Sequence, residues 1–213
     1  MFSDVSDEID DRFRLLRHSF ALSPRSPREP SALVKGLVFV QLYAIYEYTV
    51  RSCCGEVILA VNSANCSLDR LRPSLLTIYL NPEFDSLRGC GQKEIWNKRL
   101  QLIERVMSQN TAFAARSLLP NVGKHHRSAD LQFLFTILGI SRLPVRRKRH
   151  LFRIDEIVDR RNDIAHGLVT ADKIGRDFTR ADIHHRINQM ESVCRCLIAS
   201  MERHCSSPTN FVR

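Results

Sequence analysis

Apolar residues recur at three- and four-residue intervals along most of this chain, and no stretch shows the alternation of a half-buried strand. Residues 4–22 set Phe13, Leu16 and Phe20 on one helix face, with acids gathered at the N-terminal end, where the helix dipole favours them. Ser23 to Pro30 is punctuated by proline and cannot continue that helix. It lets the first helix either fold back on the body or reach away from it. From Ser31 to about Val61 the pattern is apolar nearly all round, the mark of a helix buried on most sides. Residues 67–91 are less regular. Leu68, Leu71, Leu75, Leu76 and Ile78 indicate one or two short helices interrupted at Pro73, and Asn81-Pro82 and Gly89-Cys90-Gly91 mark turns. Helical spacing returns from Gln92 to Met107, where Trp96 reads as a core anchor, and again over Thr111 to Leu119. Ser128 or Asp130 caps a helix through Gly139 with Leu131, Leu134, Phe135 and Leu138 on its apolar face. Thr179 and Asp182 resemble a capping box opening a last long helix, whose apolar face runs from Ile183 to about His204. The tail beyond is expected to fray. The expectation is an all-α helical bundle with additional short helices, divided into an N-terminal helix and linker (1–30), a main domain (31–205) and a tail (206–213).

One further helix, from about His150 to Gly167, is unusual. Leu151, Ile154, Ile157, Val158, Ile164, Ala165 and Leu168 fall on one arc at about 100° per residue. Arg161 falls near the middle of that arc, where a cation is costly unless paired or open to a cleft. Asp155, Asp159, Asn162 and His166 form a second, polar stripe. Gly167 is placed to end the helix in the left-handed conformation, which a residue with a Cβ adopts only at a cost. A partner for Arg161 suggests itself. Glu47 is the only acid between Val34 and Gly55 and sits among Tyr43, Tyr46 and Tyr48. Glu47 either meets Arg161 or pairs with Arg51 four residues on, worth a few tenths of a kcal/mol.

The 213 residues suffice for one well-buried domain, and their formal charge of +9 favours an acidic partner such as nucleic acid. The cations concentrate in Arg142 and Arg146-Arg147-Lys148-Arg149, just before the unusual helix, where they oppose its dipole. An RNA backbone nearby or plain solvation makes that tolerable. Gly123 to Arg127 forms a basic, histidine-bearing loop. The seven cysteines, with no signal peptide, read as reduced and mostly buried thiols of a cytoplasmic protein. The longest apolar run, Leu37 to Tyr46, is too short and too polar to cross a membrane.

Arg161-Asn162-Asp163-Ile164-Ala165-His166-Gly167 resembles the Arg-(four residues)-His signature of the HEPN superfamily, in the form seen in its nuclease members and most like its RiboL-PSP-type branch. The resemblance implies a HEPN-like helical bundle and a metal-independent endoribonuclease, with Arg161 and His166 catalytic and no cofactor or metal. It also implies a homodimer with a composite active site and a role as a toxin or antiviral-defence effector, with an antitoxin or regulatory partner. Some HEPN toxins carry a tyrosine two residues after the histidine, which an antitoxin modifies. Leu168 stands there in this chain, so that mode of inhibition does not carry over.

The chemistry suits the residue types. RNA supplies its own nucleophile in the 2′-hydroxyl. Histidine titrates near neutrality and can move the protons, and an arginine fork can hold the non-bridging oxygens of the phosphorane. Arg161 and His166 diverge by about 140° on an ideal helix, so a two-fold pair of helices is better built than one to aim both at a phosphate. Asn162, Asp163 and Glu47 are the expected supporting residues. Arg146, Arg147, Lys148, Arg149 and Arg160 are the expected RNA-binding ones. The competing class is a non-catalytic HEPN module for dimerisation or nucleotide binding. A weaker third is a metal site at Cys194, Cys196, His204 and Cys205, disfavoured because residues two apart on a helix point to opposite faces.

Overall fold

A computed structural model describes residues 2–23, 29–108, 126–145 and 147–213. The expected helix over 111–119, residues 123–125 of the basic loop, and Arg146 lie outside these. The described residues form nine α-helices and no strand, so the protein is all-α. In order they are α1 (Phe2–Leu22), α2 (Glu29–Ser63), α3 (Pro73–Tyr79), α4 (Asn81–Arg88), α5 (Ile95–Met107), α6 (Ser128–Ile137), α7 (Arg149–Ala165), α8 (Ala171–Arg176) and α9 (Arg180–Cys205). Short 3₁₀ turns occupy Leu68–Arg70 and Pro208–Asn210.

Helix α2 is the hub. It spans about 50 Å at 1.5 Å per residue, and α1, α7, α8 and α9 all pack against it. That neighbourhood explains its all-round apolarity: Phe39, Leu42, Tyr46, Val50, Cys53, Cys54, Val57 and Val61 are fully buried. Helices α1, α6, α7 and α9 each contribute one apolar stripe.

One open alternative is decided and two expectations are corrected. First, α1 folds back on the body. Phe2, Val5, Ile9, Phe13, Leu16 and Phe20 are buried, and the helix packs on α2 and α9. Its C-terminal end is clamped by Arg180, which donates to the Phe20 carbonyl (2.7 Å) and the Ser23 hydroxyl (2.8 Å) and lies over the Phe20 ring. Orphan carbonyls at a helix end need such donors. Second, the tail is not frayed. The Arg72 N–H donates to the Phe211 carbonyl at 2.9 Å, Leu71 and Val212 form a bridge, and Phe211 is buried. Third, Trp96 is no core anchor. It is 71% exposed under the Arg99 guanidinium, and no residue of α5 is buried. Among the described residues α5 meets chiefly α4 and the first 3₁₀ turn, which leaves its apolar face uncovered.

Helix α8, which the sequence did not announce, meets α2 backbone to backbone. A Cβ on Gly36 would stand 1.9 Å from the Ala171 carbonyl oxygen, and one on Gly175 would stand 1.8 Å from that of Ala32. Glycine is required at both places because neither obstacle is a side chain that can turn aside. Gly36→Ala and Gly175→Ala are therefore each expected to cost about 3 kcal/mol, at the upper end of overpacking penalties. Gly91→Ala, with open space around it, should be neutral within about 0.5 kcal/mol. Urea unfolding of the three variants checks this.

Candidate active site

Helix α7 presents three faces. His150, Ile154, Ile157 and Val158 are buried and face the core. Arg161 continues that face one turn on and is half-buried. Its guanidinium lies 4.2 Å from the centroid of the buried Tyr43 ring on α2, and its Nη1 donates to Asn162 Oδ1 at 2.9 Å. The apolar arc tolerates this cation because a π-face supplies the negative potential that a carboxylate would otherwise give. Tyr43 is the functional neighbour that sequence reasoning missed, although its position on the aromatic stretch of α2 was the available signal. Burial, then the Glu47 charge, raises its phenol above the ordinary range, against the opposing pull of Arg161.

The expected Glu47–Arg161 pair does not form. Glu47 meets Arg51 at 3.4 Å, the i,i+4 alternative, because it lies one turn beyond the ring that holds Arg161. A half-exposed local pair also avoids the desolvation that a buried pair requires.

The polar stripe divides into two parts. Asp155 accepts the Ser128 N–H (2.8 Å) and hydroxyl (2.6 Å), and Asp159 pairs with Arg127. Both acids thus dock the start of α6, where free N–H groups and the dipole favour negative charge. Asp130 adds to this by accepting the Arg127 N–H at 3.0 Å, and Tyr46 donates to the His126 carbonyl at 2.8 Å. Ser128 is the first helical residue rather than the cap. Asn162 is spent on Arg161 through its oxygen. The Asp163 carboxylate makes no hydrogen bond or ion pair among the described residues, so it does not orient the His166 ring.

His166 is the helix cap and is exposed, and its ring has no hydrogen-bond partner among the described residues. Gly167 follows at φ +69°. Gly167 N–H donates to Ile164 (3.1 Å) and Leu168 N–H to Asp163 (2.9 Å), the paired bonds of a Schellman ending. The chain then passes through Thr170 into α8, whose close seat on α2 fixes where this turn goes. Within one protomer the imidazole faces solvent and the guanidinium faces α2. The fold does not bring them together.

The third face of α7 forms the seam with α9. Arg153 and Arg186 share Glu156, Arg153 Nε donates to Gln189 at 2.6 Å, and Arg186 lies 4.3 Å over Phe178. Burial, then the Arg186 charge, lowers the Arg153 pKa from its usual range. Arg160 joins this seam, half-buried and 5.9 Å from the Phe178 centroid. Arg147, Lys148 and Arg149 are exposed at the other end of the helix, about 24 Å from His166. Within one chain they stand too far from His166 to share a single small anion with it.

The cysteines are all free, and burial pushes the Cys54, Cys194 and Cys205 thiols up to about 12, which disfavours the thiolate a metal or an electrophile requires. Among the described residues no group of three His, Cys, Asp or Glu is placed to hold a metal ion, and no helix is long and apolar enough to cross a membrane.

A family model described as HEPN_MAE_28990-like HEPN matches residues 2–209, α1 included. The match bears out the superfamily to which the motif pointed. No curated protein and no solved structure matches the chain significantly.

The ring rather than the hydroxyl of Tyr43 does the work under Arg161, since the guanidinium lies over the ring centroid and makes no hydrogen bond to that hydroxyl. Tyr43→Phe should stay within about 1 kcal/mol of the parent stability. Tyr43→Leu should lose about 2–3 kcal/mol from the cation–π contact and the gap left behind. Equal losses in a denaturant titration would show that the ring has no special part.

Proposed function

The chain belongs to the HEPN superfamily, and from that premise we propose that it is a metal-independent endoribonuclease acting as a homodimer. The observation that carries this reading is the state of its two motif side chains. The His166 imidazole is exposed and uncommitted. The Arg161 guanidinium is fixed in direction by Tyr43 and Asn162 while staying half-exposed. A proton carrier needs access, and a phosphorane clamp needs preorganisation.

Each protomer alone is incomplete because the two groups diverge. A two-fold axis beside the end of α7 supplies the missing pair. Leu168 directly after the motif is 74% exposed, and Phe152 on the outer side of α7 is 77% exposed. Apolar side chains standing free at both ends of one helix suit a self-complementary contact. In that cleft one His166 takes the 2′-hydroxyl proton, and O2′ attacks phosphorus. The P–O5′ bond breaks, and His166 of the partner subunit protonates the departing 5′-oxygen. Arg161 from each chain faces the non-bridging oxygens. The products are a 2′,3′-cyclic phosphate and a 5′-hydroxyl. Arg147, Lys148 and Arg149, with Arg146, hold the RNA several nucleotides from the scissile bond, and Arg160 flanks the same helix. Cytoplasmic action against the host's own RNA, as toxin or antiviral-defence effector under the restraint of a regulatory partner, is the cellular role this chemistry suits.

Purified protein incubated with structured and unstructured RNA in EDTA is expected to leave 2′,3′-cyclic phosphate ends. His166→Ala and Arg161→Ala should each lower the rate at least about 100-fold. Arg161→Lys should rescue little, because it keeps the charge without the fork. Light scattering should give twice the chain mass. Absence of cleavage in all RNAs by folded, dimeric protein would instead establish the non-catalytic HEPN module.

A further inference from the structure

Far from the motif, three arginines without acidic partners among the described residues surround a cavity of about 270 Å³. Arg72 comes from the start of α3, Arg142 from the loop between α6 and α7, and Arg203 from the last turn of α9. His204 and Asn210 complete the lining, and none of the lining residues is acidic. The place is distinct from the Arg161–His166 end of α7. Helices α7 and α9 run antiparallel, with Arg186 on Glu156, and α9 advances about 25 Å from there to Arg203, away from His166.

The cavity is built rather than incidental. Its wall includes the C-terminal tail, held by Arg72 N–H on the Phe211 carbonyl (2.9 Å), Arg72 Nε on the Val212 carbonyl (3.2 Å) and Asn210 Nδ2 on the His204 carbonyl (2.9 Å). Gly139, at φ +76°, shapes the loop on the other side. His204 is 91% buried, complementing its 9% exposure, and its Nε2 has no hydrogen-bond partner among the described residues. A buried imidazole nitrogen left unpaired is destabilising unless something supplies the missing bond. Guanidiniums lining one hollow repel one another in the same way until an anion enters.

We propose that this cavity binds a phosphate monoester, with the three guanidiniums on the oxygens of its dianion and a neutral His204 donating its Nε2–H to another of them. Burial, then the Arg72 charge, lowers the imidazole below its ordinary range. The group carrying the phosphate has room on either side. Through Arg142 the cavity adjoins a hollow of about 370 Å³ lined in part by Ile140, Leu143 and Pro144, and through Arg203 it adjoins a broader groove along α9. Such a phosphate belongs either to a small phosphorylated molecule or to the 5′ end of a nucleic acid.

The test is a set of equilibrium titrations near pH 7. Ribose 5-phosphate is titrated into the parent protein. A 5′-phosphorylated oligoribonucleotide and its 5′-hydroxyl counterpart are titrated into His166→Ala protein, so that cleavage at the motif plays no part. The 5′-phosphate is expected to tighten binding at least tenfold over the hydroxyl. Arg142→Glu and Arg203→Glu, both at exposed positions, are expected to abolish that gain at an unchanged melting temperature. Binding of ribose 5-phosphate would assign a small-molecule ligand, and binding of the phosphorylated oligonucleotide alone would assign a nucleic-acid end. Indifference to the phosphate in all arms, or charge reversals that leave the affinity where it was, would overturn the proposal. Neither result bears on whether His166 cuts RNA.

Discussion

The contact of two helix backbones, α2 on α8, governs much of this structure. Ala32 and Gly36 on one side and Ala171 and Gly175 on the other each recur at four-residue spacing, so both helices show a smooth face where they cross. With no side chains between them, the separation is set by backbone atoms, and the position of α8 has little freedom. The turn carrying His166 and Gly167 runs directly into α8. Its other end is the last turn of α7, pinned to the same α2 through Arg161 on Tyr43. The candidate catalytic turn is thus suspended between two anchors on one helix. That is how an exposed loop can hold a defined direction.

The charge distribution reads differently once partners are visible. A surplus of cations suggested a nucleic-acid surface, yet many arginines are structural. Arg180 closes the end of α1, Arg17 and Arg195 tie α1 to α9, Arg153 and Arg186 share one glutamate in the α7–α9 seam, and Arg127 docks α6. A planar fork with several donors suits such joints, where one side chain must satisfy carbonyls, carboxylates and rings together. Among the described residues, two groups of cations without acidic partners stand at the start of α7 and around the tail-walled cavity. Those two places are where an anionic partner has most to offer.

The acids on α7 illustrate the same division of labour. Asp155 and Asp159 share a stripe with His166, which on spacing alone invites a relay. The structure spends both on the N-terminus of α6 instead, and the His166 ring has neither a carboxylate nor a hydrogen-bond partner among the described residues.

Local chemistry alone determined a good deal: the helices α1, α2, α6, α7 and α9, the left-handed turn at Gly167, the Thr179–Asp182 box, and a motif strong enough to indicate the superfamily. Each depends on neighbours within one or two turns, so periodicity and capping residues suffice to read it. The tertiary structure decided what Arg161 rests on, which cation Glu47 pairs with, where Trp96 points, whether α1 and the tail dock, and that α8 exists. Those outcomes turn on distances between residues remote in the chain. A cation on an apolar arc accepts a carboxylate or a ring with similar ease, and a proline-bearing linker permits a helix to pack or to depart. Only the shape of the assembled core, with Tyr43 already buried beneath α7 and the apolar stripe of α1 matching a groove between α2 and α9, selects between them.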